Sequence, residues 1–89
     1  MATIRFTHQM ARHRAIPEME GTGADVRAVL RDAFAVDPML GAYVLDEQGR
    51  LRKHVNIFVD GDMVTDRIKL SDPVNSNSEI YIMQALSGG

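Results

Sequence analysis

The sequence predicts an α+β fold in which a mixed sheet of four to five strands curls over one main helix. Within residues 24–35, apolar side chains recur at the i, i+3, i+4, i+7 spacing of one helical face. Other stretches alternate apolar and polar residues with the period of two that half-buried strands show. At 89 residues, the chain has the length of one domain with one modest core.

The first two strands are predicted close to the N-terminus. Residues 2–8 alternate, with Ile4 and Phe6 on one face. Residues 15–20 form a poorer run that contains Pro17, which cannot donate a ladder hydrogen bond. The second strand is therefore expected at an edge of the sheet.

The main helix is predicted over residues 24–35. Thr22, with Asp25 three residues later, approximates the capping box that opens many helices. Asp37-Pro38 should end the helix, because the residue before a proline is pushed out of the helical region. The apolar face of this helix is expected to fill most of the core. It consists of Val26, Val29, Leu30, Ala33 and Phe34.

The region between this helix and the last strand is predicted as short strands and turns. Residues 39–42 are expected to form a connector, and residues 43–45 a short strand that turns at residues 47–49. Residues 65–78 should form irregular chain around Ile68 and Leu70.

Two further strands flank a predicted hairpin turn. Residues 54–59 alternate, with Phe58 on the face opposite the valines and isoleucine. The following Asp60-Gly61 is among the commonest two-residue hairpin centres, because both positions tolerate positive φ. Residues 62–64 should therefore turn back along the preceding strand.

The chain ends on an alternating strand followed by a glycine-rich tail. Ile80 and Ile82 occupy one face of the strand, and Tyr81 and Met83 occupy the other. The predicted domain therefore covers residues 1–84, and residues 85–89 form a flexible tail. Five extended residues span roughly 17 Å, which could carry the terminal carboxylate into a narrow channel.

Several segments resemble the ubiquitin-like sulfur-carrier family, which includes the small subunit of molybdopterin synthase, the thiamine-pathway sulfur carrier and the small archaeal modifiers. They read T-I-R-F, D-V-R-A-V-L-R-D-A-F, G-R-L-R-K-H-V-N-I-F-V-D-G-D and I-Y-I-M-Q-A-L-S-G-G. The element order matches the β-grasp, or ubiquitin-like, fold, with the first and last strands in the middle. The family's acidic-glycine turn before the last strand is replaced by V-N-S-N-S-E, which implies a different turn.

The resemblance implies a carrier or modifier that is a substrate of an activating enzyme and not an enzyme itself. Gly89 would be the covalent attachment site, with Leu86, Ser87 and Gly88 completing the tail motif and no catalytic residue in the chain. A ubiquitin-activating-type enzyme would adenylate the Gly89 carboxylate with ATP and Mg²⁺, and sulfur would then convert it to a thiocarboxylate. A sulfur donor or acceptor enzyme would be the second partner.

Two alternatives remain open from the sequence. The protein could be a modifier that is joined through Gly89 to lysines, or an interaction module whose tail is never activated. In each case Phe58, Tyr81 and Met83, opposite the expected core face, are predicted to form the partner-binding surface.

The composition excludes several other classes of function. A net charge of −2 with scattered cations gives no footprint for nucleic acid. No stretch approaches the roughly 20 apolar residues of a membrane span, and the absence of cysteine is compatible with a cytoplasmic protein. The histidines His8, His13 and His54 lack metal-ligand spacing, so neither a metal nor a cofactor bound by this chain is expected.

Overall fold

The computed structural model describes residues 1–6 and 18–84, which form a five-stranded sheet and two helices. The strands are β1 (Ala2–Phe6), β2 (Met19–Gly21), β3 (Val55–Val59), β4 (Asp62–Met63) and β5 (Glu79–Gln84), and the helices are α1 (Val26–Phe34) and α2 (Pro38–Val44). Residues 7–8 and 15–17, which the sequence predicted as parts of the first two strands, lie outside the described residues.

The sheet is mixed, and β5 lies at its centre. The strand order is β2-β1-β5-β3-β4, in which β1 runs parallel to β5 and the other pairs are antiparallel. The predicted central position of the first and last strands is confirmed, as is the edge position of β2. This topology is the β-grasp arrangement expected from the order of the elements.

The core lies between one face of the sheet and helix α1. All five residues of the predicted helical stripe are buried. They meet the buried side chains of the sheet, which are Ala2, Ile4, Val55, Ile57, Ile80 and Ile82. The helical period of the sequence thus identified the packed face correctly.

Helix α1 is capped by Asp25, so the prediction that Thr22 caps it is wrong. The Asp25 carboxylate accepts a hydrogen bond from the Ala28 amide at 2.9 Å, whereas the Thr22 amide donates to Asp32 Oδ2 at 2.8 Å. The cap therefore lies next to the first helical residue, where its carboxylate satisfies an amide that has no partner within the helix.

Gly21 allows strand β2 to approach helix α1 closely. A Cβ atom at this position would overlap the carbonyl oxygen of Val29. Because that oxygen belongs to the backbone of the helix, a side chain at Gly21 would force the helix away from the sheet.

Helix α2 corrects the predicted connector and short strand at residues 39–45. Pro38 occupies the first turn, where its missing amide removes no helical hydrogen bond. The Asp37 side chain accepts from the Leu40 amide at 3.1 Å and so caps the new helix. Leu40 and Val44 lie one turn apart and are both buried in the core.

The turn and hairpin that follow agree with the sequence. Leu45 pairs with Leu51 across a turn in which Gly49 has a φ of +80°, as expected for residues 47–49. Asp60 and Gly61 have φ values of +50° and +90°, which match the type I′ turn of a two-residue hairpin. Strand β4 therefore returns along β3 as predicted.

The irregular region is anchored by one of its two predicted apolar residues. Leu70 is fully buried, whereas Ile68 is 64% exposed, so of the two Leu70 alone belongs to the core. A loop has no period that distinguishes between two nearby apolar side chains.

The turn before β5 is organised by hydrogen bonds of Ser78 and Asp60. The Ser78 hydroxyl accepts from the Asn75 amide at 3.0 Å and donates to Asp60 Oδ2 at 2.9 Å. Asp60 Oδ1 also accepts from the Glu79 amide at 2.9 Å. The hairpin carboxylate therefore fixes the start of β5.

Candidate functional site

Strand β5 carries the predicted binding side chains and leads to the predicted tail. Ile80 and Ile82 are buried against the core. Tyr81 is 43% exposed on the opposite face, and Met83 is partly buried there. The predicted alternation along this strand is confirmed, while the binding role of its outer residues stays a prediction.

The exposed face of the sheet presents a row of side chains that crosses several strands. Tyr81 lies opposite Phe58 on β3, and Phe58 lies opposite Met63 on β4. Met83 lies two residues further along β5, opposite Asn56. Residues on one face of adjacent strands are in contact range, so we define Phe58, Met63, Tyr81 and Met83 as the outer-face patch.

The sequence prediction omitted Met63 from this patch. Met63 is 51% exposed, and its position follows from the two-residue hairpin, which pairs Val59 with Asp62 and Phe58 with Met63. The Asp60-Gly61 signal already predicted that register. Extending it by one residue pair would have identified the methionine.

An ion-pair network borders the patch on the β1 side. Arg5, opposite Tyr81, donates from Nε to Glu18 at 2.8 Å and from Nη1 to Glu79 at 2.7 Å. Hydrogen bonds with Glu18 and then with Tyr81 raise the pKa of Arg5. All three charged side chains are substantially exposed, so the network adds little stability and mainly gives this border a charged character.

The root of the tail is fixed by the same sheet. Strand β5 pairs with β1 as far as Ile82 and with β3 as far as Gln84, whose partner is Val55. The predicted attachment residue Gly89 and the tail motif Leu86, Ser87 and Gly88 lie outside the described residues, and so does the predicted tail as a whole. Strand β5 ends at Gln84, one residue after Met83 of the outer-face patch.

The structure gives one of the three histidines a packing contact. The rings of His54 and Tyr43 meet edge to face, with centroids 6.1 Å apart; His8 and His13 lie outside the described residues. Across residues 1–6 and 18–84, no group of acidic and histidine side chains has the arrangement of metal ligands. No helix in this part of the chain has both the length and the apolar character needed to cross a membrane.

Comparison with known proteins identifies the family. A search of curated proteins finds no match, but the model of the ThiS family matches residues 9–89. Two solved structures align with this chain at 20% sequence identity, and each alignment covers at least 97% of this chain and 100% of the other chain. They are a chain of the BexX/CysO complex from Amycolatopsis orientalis, with a TM-score of 0.80, and CysO of Mycobacterium tuberculosis, with a TM-score of 0.79.

A third similar structure is that of the small archaeal modifier protein SAMP1 from Haloferax volcanii. It has a TM-score of 0.74 and 20% identity, and the alignment covers 99% of this chain and 98% of that one. At this identity the solved structures support the fold, whereas the family model covers most of the sequence itself. The chain therefore belongs to the ThiS family of ubiquitin-like sulfur-carrier proteins.

Proposed function

We propose that this protein carries sulfur as a thiocarboxylate at Gly89. A partner enzyme uses ATP and Mg²⁺ so that a Gly89 carboxylate oxygen attacks the α-phosphate and pyrophosphate leaves. A sulfide or persulfide sulfur then attacks the acyl carbon, and AMP leaves with the carboxylate oxygen that bound it. When a persulfide supplies the sulfur, its S–S bond is broken by a thiol reductant. The product is delivered to a biosynthetic enzyme in the cytoplasm.

The observation that carries this proposal is the A-L-S-G-G sequence that follows the central strand of a ThiS-family domain. Strand β5 is held on both sides, so the root of the tail has a fixed position relative to the fold. A tail of five residues then sets how far the carboxylate reaches, to roughly 17 Å.

The outer-face patch is the surface that we propose for docking the activating enzyme. Met83 lies one residue before the last residue of β5, so an enzyme that covers the patch also receives the root of the tail. Exposed aromatic and methionine side chains are enriched in the central part of protein interfaces. This assignment unites Phe58, Tyr81 and Met83 with Met63.

The proposal is tested by moving the carboxylate and measuring ATP-dependent adenylation by the cognate activating enzyme. Deleting Gly89, or adding one residue after it, moves the carboxylate by about 3.3 to 3.6 Å and should abolish adenylation. Gly88→Val should fail as well, because a branched side chain restricts the backbone and fills a channel that admits glycine.

Ser87→Ala is the matched control, because it changes the tail without changing its length. We expect it to be adenylated, and thermal melts should show all four variants as stable as the wild type. Normal adenylation of the shortened and lengthened proteins would contradict the role of Gly89 and favour a module whose tail is not activated.

A second function is favoured by the likeness to the modifier SAMP1. In that case the activated Gly89 carbonyl forms an isopeptide bond with a lysine amine of a target protein, and AMP leaves. Lys53 and Lys69 are the two lysines of the chain, and both are exposed, so self-linkage would be confined to these positions.

Mass spectrometry after activation distinguishes the two functions. An oxygen-to-sulfur mass increase on the intact protein supports sulfur carriage. Cleavage after Leu86 by a protease specific for large apolar residues would instead leave Ser87-Gly88-Gly89 on the lysines of modified proteins. Variants that carry Lys53→Arg or Lys69→Arg would locate any self-linkage.

A further inference from the structure

A groove with an excess of positive charge lies beside the root of the tail. The residues that line it include Asp46, Arg50, Arg52, Lys53, His54 and Arg67. Lys53 and His54 directly precede Val55, which pairs with the last residue of β5, Gln84. The groove therefore borders the position where the chain leaves the sheet.

Two arginines of the groove, Arg52 and Arg67, are held by neutral acceptors. Arg67 donates from Nη1 to the Asn56 side-chain oxygen at 3.1 Å, and from Nη2 to the carbonyl oxygens of Arg52 and Val55 at 2.8 and 2.9 Å. Arg52 donates from Nε to the Ala42 carbonyl at 2.8 Å. In the described part of the chain, no carboxylate forms an ion pair with either guanidinium.

The other charged residues of the groove do not neutralise the positive charge of these two arginines. Arg50 is paired with Asp46 at 3.0 Å, so that acid and base offset each other. Lys53 is exposed, and its ammonium has no hydrogen-bond acceptor among residues 1–6 and 18–84. Arg52, Lys53 and Arg67 thus form a local positive surface on a chain whose net charge is −2.

We propose that this groove docks an acidic surface of the activating enzyme while the tail enters the enzyme's channel. The inference rests on the proposed function, since it names the chemistry of the partner that activates Gly89. A positive surface beside the root would attract Asp and Glu side chains of the partner, speed the encounter and orient the tail.

Carboxylates of a protein fit this groove better than a phosphate group does. Many phosphate sites add backbone amides at a loop or helix start to the side-chain cations. Here Arg67 already gives hydrogen bonds to oxygens of the protein itself. The groove therefore presents several positive charges over an open surface, and this arrangement complements an acidic protein surface.

Steady-state adenylation kinetics with the cognate activating enzyme test the inference. Lys53→Glu reverses one charge in the groove and should raise the KM for this protein by about 10-fold at low salt, with little change in kcat. The effect should shrink near 1 M salt, where the Debye length is about 3 Å. Lys53→Gln should give a smaller change in the same direction.

The double variant Ser76→Glu with Asn77→Asp is the control. It makes the same change in net charge, but in the exposed turn before the opposite end of β5, and its KM should stay close to that of the wild type. Thermal melts establish that each variant is folded at the assay temperature.

The remaining outcomes show whether the docking groove alone or the proposed function as well is wrong. A wild-type protein that is not adenylated would overturn both. An adenylated wild type whose KM is unchanged by Lys53→Glu, or changed equally by the control, would overturn the docking groove alone. If Lys53→Glu instead raised the KM for ATP, the groove would bind nucleotide and the inference would be wrong. If Lys53→Glu made activation faster, the groove would hold the chain's own carboxylate, which would also contradict the inference.

Discussion

The two faces of the sheet are built from the same strands, yet they carry different kinds of side chain. On one face Ile80 and Ile82 are fully buried beneath helix α1, while between them Tyr81 points to the opposite face and is 43% exposed. Because side chains alternate along a strand, one run of β5 can supply both the core and a recognition surface. Substitutions on the first face should therefore change stability, and substitutions on the second should change binding.

The largest effect is expected for Phe34→Ala on the core side. Phe34 is 7% exposed and packs within the core cluster, so its truncation should reduce the free energy of unfolding by about 3 to 5 kcal/mol. Denaturant unfolding measures this loss, and the fraction of protein that stays folded should still be adenylated.

Val36→Ala is the matched control for this prediction. Val36 follows α1 by two residues and is 82% exposed, so its truncation should change stability by no more than about 0.5 kcal/mol. A Phe34→Ala loss as small as that of the control would mean that the face of α1 is wrongly assigned.

The next effect in size should appear on the outer face. Phe58→Asp and Met83→Asp should each weaken binding to the activating enzyme by at least about 2 kcal/mol, the scale of an interface hot spot. Stability should change little, because both side chains lie on the face opposite the core. Calorimetric titration measures the binding, and melts measure the stability.

Val36→Asp provides the comparison for these two variants. It places the same charge on an exposed apolar residue outside the patch, so binding should be retained. Unchanged binding by Phe58→Asp and Met83→Asp, or unfolding of both, would contradict the assignment of one face to the core and the other to binding.

The sequence predicted those parts of the fold whose pattern is local and long enough to read. The stripe of α1 and the alternation of β5 each repeat several times, and the Asp60-Gly61 turn has its own backbone chemistry. Helix α2 buries only Leu40 and Val44, so its apolar period is too short to separate it from a strand. The clearest sequence signal for helix α2 was Asp37, the residue that caps its start.

The candidate site was predictable to the same degree. Alternation placed Phe58, Tyr81 and Met83 on the exposed face, and hairpin register would have added Met63. The positive groove needed the structure, because Arg67 reaches it through bonds to the carbonyls of Arg52 and Val55. Sequence spacing does not reveal a contact between a loop residue and backbone atoms that lie 12 and 15 positions away.

The smallest effect should come from the loop after β4, where stability depends on charge instead of burial. A hydrogen bond from the Ser71 hydroxyl, followed by one from the Lys69 amide, lowers the pKa of Asp66 to about 2 from 3.8. Hydrogen bonds from the amides of Asp66 and Thr65 also lower the pKa of Asp72. Both carboxylates therefore hold the loop best when they are ionised.

The sign of the pH dependence follows from these lowered pKa values. Between pH 4 and pH 2 the unfolded chain binds more protons at Asp66 than the folded protein does, so stability falls as the pH falls through this window. Asp66→Asn should flatten that part of the profile in urea unfolding, because its side chain does not titrate. Asp62→Asn, on the exposed strand β4, makes the same substitution outside this loop and is the matched control. Because Asp66 is partly exposed to solvent, which screens such interactions, the difference should be a modest one. Parallel profiles for the Asp66→Asn variant and the wild type would show that burial alone holds this loop.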